Sequence, residues 1–224
     1  MNRRSKALLA AALLCGSAGA NAALLGPSPY TGASDSPFAP FSGFAYFYLD
    51  DFEDGLQNTP GATATGPGLC MAGSACFAGS GLIDSVENGQ QGHDLWAGGS
   101  ITVTFDSGVL GALPNAAGIV WTDGAGEIRF EAFDAANQSL GVLIGNHADG
   151  SFTGGTAEDR FYGLTSAVGI ARILISNSAG GIEADHLQYG LRGVPPPPVP
   201  EPGTLALLGL GLAGLGLSRR RGAR

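Results

Sequence analysis

Between residues 38 and 193 the apolar residues come in short runs closed by Gly, Asp, Asn or Ser, and no stretch sustains a capped helical period. This restricts the chain to β-structure, because a strand needs only a handful of residues while a stable helix needs several turns of repeating apolar face. Ile101, Val103 and Phe105 alternate with Thr102, Thr104 and Asp106, and Ile128 and Phe130 alternate with Arg129 and Glu131. That is the period of a half-buried strand. Strands are expected at 44–50, 81–86, 100–106, 118–122, 127–133, 139–144, 160–164, 169–176 and 181–191. Asp123-Gly124 and Asp149-Gly150 read as turns. The pattern predicts an all-β domain, a two-sheet β-sandwich of jelly-roll type, with a closed barrel as the alternative. Without an internal repeat a β-solenoid is not expected. Composition agrees: Gly is 38 of 224 residues and charged residues are 13%, against roughly 25% charged in ordinary soluble domains. That is no coiled coil.

Charge divides the chain into three. Residues 1–22 hold Arg3, Arg4 and Lys6 and no acid, and residues 203–224 hold Arg219, Arg220, Arg221 and Arg224 and no acid. All 19 acids lie between, with only Arg129, Arg160, Arg172 and Arg192 to offset them. Lys6 is the only lysine, so the middle holds neither a P-loop nor a Schiff-base lysine. So acidic a domain repels phosphate backbones, and nucleic acid is not an expected partner.

The first 22 residues read as a secretory signal peptide. Arg3, Arg4 and Lys6 precede an apolar run over 7–15, and Ala20-Asn21-Ala22 supplies the small residues for cleavage by signal peptidase after Ala22. Cys15 follows Leu14, where a lipoprotein signal wants a small residue. Residues 23–43 are then an N-terminal extension, 44–193 the β-sandwich domain, 194–202 a proline-rich linker and 203–224 an apolar tail forming a short C-terminal helix. Fourteen apolar helical residues would cover about 21 Å, a marginal span for a core of about 30 Å. The arginines after the run keep that end cytoplasmic and place the domain beyond the inner membrane.

Val199-Pro200-Glu201-Pro202, the Gly- and Leu-rich run 204–217 and the cluster Arg219, Arg220, Arg221 stand in order. This tripartite tail resembles the PEP-CTERM sorting signal of Gram-negative bacteria. The resemblance implies recognition by an exosortase, transient membrane insertion, cleavage near the Pro-Glu-Pro motif, and release or attachment at the cell surface. It further implies a producer that makes exopolysaccharide and forms biofilm or flocs. The competing reading is an uncut C-terminal anchor.

Residues 59–80 hold little to bury and are expected to be a surface loop pinned by Cys70 and Cys76, the only cysteines left after signal removal. A disulfide suits an exported chain; the spacing is not that of a zinc site. Two acidic groups stand out: Asp50, Asp51, Glu53 and Asp54 after the first strong strand, and Glu183 and Asp185 in the last. Glu183 and Asp185 would share a face with Leu187 and Tyr189, a conflict that a bulge near Asp185–His186 would resolve. Brought together, these carboxylates would suit Ca2+, which takes six to eight oxygens. Asp84, Glu87 and Asn88 form a third oxygen-rich turn. The plainer reading is that all are solvated turn residues.

The turn 52–54, residues 84–87, 118–123 and 182–189 also resemble extracellular domains that often precede this tail, and are similar in pattern to jelly-roll carbohydrate-binding modules. That similarity implies sugar binding and a structural calcium near the chain ends. Trp96, following His93 and Asp94 in a Gly-rich loop, is the candidate ligand-stacking residue. His93, His147 and His186 form no tight metal pair, and no serine sits in G-x-S-x-G. No catalytic residue is nominated and the chain is not expected to be an enzyme. The expected function is an exported, exosortase-processed surface or matrix protein binding polysaccharide and Ca2+. An extracellular hydrolase of glycan or ester bonds and a purely structural coat protein are the alternatives.

Overall fold

Two strands organise the molecule, β7 (Ala116–Phe133) and β10 (Arg172–Arg192), of 18 and 21 residues. They pair antiparallel from Arg172↔Phe133 to Gly190↔Ala116. The remaining strands are β1 (Ala23–Pro29), β2 (Phe44–Asp50), β3 (Ala62–Thr65), β4 (Cys70–Met71), β5 (Leu95–Ala97), β6 (Ser100–Phe105), β8 (Ser139–Gly145) and β9 (Arg160–Thr165). One helical turn, α1 (Ser107–Leu110), follows β6, with Asp106 Oδ1 accepting from Gly108 N–H as its N-cap. The structure is a computed structural model and describes residues 22–71, 84–87, 92–151 and 157–193.

Along one half of the pair the order is β1-β9-β7-β10-β2, and along the other β8-β7-β10-β6-β3, every pairing antiparallel. β5 pairs with β10 at the junction, over Ile182–Ala184, and β4 pairs with β5. The halves face each other across one core. Phe130 stacks on Tyr162 with centroids 6.3 Å apart, and Phe105 meets Tyr189 at 4.9 Å. The described part of the chain is therefore all-β.

The bend between the halves explains why the sequence splits β7 and β10 into two strands each. Gly124 (φ 149°) and Gly126 (φ 83°) lie opposite 179–182, where the register slips twice and Gly180 has φ 69°. A Cβ on Gly124 would stand 2.9 Å from the Gly181 carbonyl oxygen. Both strands bend together, so the ladder continues through positions whose residue types ordinarily end a strand. Asp123-Gly124 is thus a bend within β7 rather than a turn.

The first half of β7 is buried on both faces. Ala117, Ile119 and Trp121 enter the main core, while Ala116 and Val120 pack with Tyr30, Phe38, Val86 and Phe161 on the other side. The N-terminal segment forms that second layer. Residues 23–43 are thus part of the folded domain and no mere extension: β1 pairs with β9, and Tyr30 and Phe38 are buried. Alternation is weak over 23–29, with two prolines in the segment, and cannot signal an edge strand. The expected loop 59–80 likewise contains β3, paired with β6, and β4.

The expected strand 81–86 falls partly outside the described residues; Asp84–Val86 are not in a strand. The expected signal helix, the proline-rich linker and the apolar tail also lie outside them, apart from Ala22. Among the described residues no helix is long and apolar enough to cross a membrane.

Candidate functional site

Three residues past the bend, β10 slips again between Asp185 and Gln188, and His186 takes a left-handed φ of 44°. Such a conformation costs free energy for a residue with a Cβ. Here it turns Asp185 and His186 toward the segment 84–87. Asp185 is fully buried; Asp84 and His186 are nearly so, and Glu87 is half-buried. Asp185 Oδ2 lies 2.7 Å from His186 Nδ1, and Glu87 Oε1 lies 3.7 Å from the same nitrogen. Metal-ligating atoms of Glu87, Asp185 and His186 all fall within 4.8 Å of one another. The Asp185 carboxyl is within hydrogen-bonding reach of both Asp84 and Glu87. Beside them Asp94, also fully buried, shares a contact with Glu183 and accepts from Thr122 Oγ1 at 3.2 Å.

These groups are poorly satisfied. Among the described residues, Asp84 Oδ2, both Glu87 oxygens, Asp94 Oδ1 and Asp185 Oδ1 are buried with no hydrogen-bond partner. Burial pushes the Asp84 carboxyl up to about 10, with the charges of Asp185 and Glu87 adding to it. It also raises Asp185, Asp94 and Glu87, and lifts Glu183 to about 7. The His186 imidazole is held below its ordinary value by burial, against the pull of Glu87 and Asp84. Buried carboxylates facing one another are stable only with protons, positive partners or a bound cation. Gly92 leaves room for the site, since a Cβ there would collide with the Glu87 carboxylate.

The sequence-nominated acids divide. Glu183 and Asp185 lie in the cluster, and Asp84 and Glu87 of the third turn join them. Asn88 lies outside the described residues. Asp50 and Asp54 do not join, and Asp51 reaches the cluster only through its charge on His186. The Asp50 carboxylate accepts from Phe52 N–H at 3.3 Å and from Thr59 N–H and Oγ1 at 3.3 and 2.8 Å. Asp51 accepts from Glu53 N–H, and Asp54 from Leu56 N–H and Asn58 Nδ2. They cap their own loop. Glu53 sits at the rim, accepting from His93 N–H, and its charge reaches Glu87. Asp94 and His186 were not nominated as metal ligands; a lone Asp before Leu-Trp and a His inside a strand carry no ligand signal without the fold.

Cys70 is buried and disulfide-bonded; Cys76 lies outside the described residues. Trp96 is half-buried on β5, its indole lying where a side chain at Gly181 would collide with it. Val199, Pro200, Glu201, Pro202, Arg219, Arg220 and Arg221 lie outside the described residues.

Comparison with known proteins identifies the sorting tail. Residues 198–221 match the model of the PEP-CTERM protein-sorting motif. That signal implies export and surface or extracellular placement through an exosortase. No curated protein matches the chain. Among solved structures, the C-terminal family 22 carbohydrate-binding module of Clostridium thermocellum Xyn10B is similar at a TM-score of 0.36 and 12% identity, over 67% of this chain and 96% of that one. So loose a likeness assigns no residue a role.

Proposed function

We propose, from the PEP-CTERM sorting motif this chain carries at residues 198–221, that it is an exported cell-surface or extracellular-matrix protein processed by an exosortase. In this reading the folded part is a two-sheet jelly-roll sandwich, without enzymatic activity, that binds extracellular polysaccharide. The sorting motif is the observation that carries the proposal. The sandwich is supported by two half-sheets packed across one core. Polysaccharide binding is supported by an aromatic ledge along edge strand β2. Phe41 stacks on Phe47 with centroids 4.6 Å apart, Phe44 adjoins at 4.9 Å, and Arg192 covers Phe44 at 4.8 Å. Phe41 and Arg192 are exposed and Phe44 and Phe47 are half-buried, an arrangement able to stack on sugar rings.

The test uses the full chain in an exosortase-bearing producer. The wild type is expected to accumulate as a shortened form at the surface or in the medium. Substituting Pro200, Glu201 and Pro202 by Ala is expected to leave the uncut chain in the membrane fraction. Identical mass and placement for both would remove the sorting reading. The binding part is tested by pull-down of the folded protein on the producer's own polysaccharide, with Phe41→Ala and Trp96→Ala as variants. A blank pull-down counts against binding, and turnover of a polysaccharide or ester substrate would favour a hydrolase instead.

A further inference from the structure

Beyond sorting and polysaccharide binding, we propose that Asp84, Glu87 and Asp185 hold one Ca2+ ion, in a pocket backed by Asp94 and closed by the bulge at His186. Two independent features point there. The first is geometric. Asp185, wholly buried, carries an oxygen with no hydrogen-bond partner, and its carboxyl lies within reach of Asp84 and Glu87, which carry unpartnered buried oxygens of their own. The second concerns the positive groups that could have answered these carboxylates. The domain has four arginines and no lysine, and each arginine is committed elsewhere. Arg129 pairs with Glu131 at 2.6 Å, and Arg160 donates to the Ala157 and Asp159 carbonyls. Arg172 donates to Asn137 Oδ1, and Arg192 to the Phe38 carbonyl. Among the described residues, the cation-capable side chain paired with the cluster is His186.

The donor set selects the ion. Asp84 Oδ2, Asp185 Oδ1 and the two Glu87 oxygens are hard ligands, and carboxylates suit Ca2+, Mg2+ or Mn2+ rather than the softer ions. Zn2+ prefers four-coordinate sites rich in nitrogen or sulfur, whereas the single imidazole here is turned to Asp185 Oδ2. Mg2+ keeps most of its water and seldom takes an all-protein cage. A buried set of four protein oxygens, with water or carbonyls completing six to eight, is the chemistry of Ca2+. Asp94 and Glu183 form the next layer, where their charge deepens the well without touching the ion. The loop acids Asp50, Asp51 and Asp54 take no part.

The test is thermal unfolding of the exported full chain, disulfide intact, in EDTA and then in Ca2+, with calorimetric titration of Ca2+ alone. The wild type should bind one ion. Its Tm should rise by about 5–10 °C at a roughly hundredfold excess over Kd. Asp185→Asn should abolish both signals. Should that variant fail to fold, Glu87→Gln, at a half-buried position, should weaken binding at least tenfold, and Asp54→Asn should leave it unchanged. Three results would overturn the proposal: no wild-type response to Ca2+, a response equally strong in Glu87→Gln and Asp84→Asn, or a response to Zn2+ alone. The first means the carboxyls are held by protons, and the second puts the ion elsewhere. None of them bears on the sorting experiment.

Discussion

Strand β10 carries two buried polar groups three residues apart, and they are built differently. At Gln188 everything is answered: Ser36 Oγ donates to Gln188 Oε1 at 2.5 Å, and Gln188 Nε2 donates to Tyr30 Oη at 3.0 Å. Ser36 Oγ also accepts from Phe38 N–H at 3.1 Å. At Asp185 one oxygen meets His186 and the other meets only carboxylates. Both sites pin the N-terminal half of the chain to the same strand. The first is a closed network of neutral groups, which adds rigidity and needs nothing further. The second is a network of facing carboxyls answered only in part, by His186 and by Val86 N–H, with its remaining oxygens left to protons or a bound cation.

The contrast predicts opposite responses to removing a polar group. Gln188→Leu takes the acceptor from the buried Ser36 hydroxyl, which keeps only its bond from Phe38 N–H, and the donor from the buried Tyr30 hydroxyl. At about 1–3 kcal/mol per orphaned group, the variant should lose about 2–4 kcal/mol of stability in urea unfolding, with or without Ca2+. A loss well below 1 kcal/mol would mean that the Gln188 network is not closed.

Asp84→Asn should behave the other way in EDTA. It replaces a buried carboxyl, which burial and the charges of Asp185 and Glu87 keep protonated in EDTA, with a neutral amide that can donate to both. Its stability should match the wild type or exceed it by on the order of 1 kcal/mol. In saturating Ca2+ the order should reverse, the wild type gaining what the variant cannot. If Asp84→Asn in EDTA costs as much as Gln188→Leu, the two sites are satisfied alike and the comparison fails.

The closed site was the less legible of the two in the sequence. Gln188 sits inside an apolar run, and its partners Ser36 and Tyr30 lie 152 and 158 residues away in a segment whose pattern shows no strand. The acidic site was half legible. Glu183-Ala184-Asp185 on an otherwise apolar strand is a local conflict, and the bulge it requires is where the register slips. Its partner segment is not legible. Asp50, Asp51, Glu53 and Asp54 are the densest acids in the sequence, yet density marks a loop that caps itself through Asx contacts. The sparser Asp84 and Glu87 reach the strand because Val86 between them is buried against Val120 and Phe161. Strand periods were legible wherever one face is solvated, as in 100–105. They were not legible where bent strands continue through glycine, because residue type alone cannot tell a bend from an end.

His147 offers an intermediate case on the main-core side of the same sheet. Its Nδ1 lies 3.3 Å from Tyr162 Oη, its Nε2 is buried with no partner among the described residues, and its ring meets Trp121 edge-on at 5.0 Å. The groups facing it are Tyr162 and, more distantly, Arg160, with no offsetting acid among the described residues. Burial first, and the Arg160 charge second, hold the imidazole down to about 4. Above about pH 6.5 it is neutral whether the chain is folded or not, and it adds no pH dependence. Between about pH 6.5 and 4 the unfolded chain binds a proton that the folded one refuses, so stability falls as pH falls. Because the ring is only half-buried, the loss should be discounted to on the order of 1 kcal/mol. The measurement is urea unfolding in EDTA at about pH 7 and pH 5, for the wild type and His147→Gln. The variant should lose less stability than the wild type over that interval. An identical loss in both would show that the folded protein accepts a proton at His147. The site would then behave as a solvated group, leaving Gln188 and Asp185 as the two cases that burial separates.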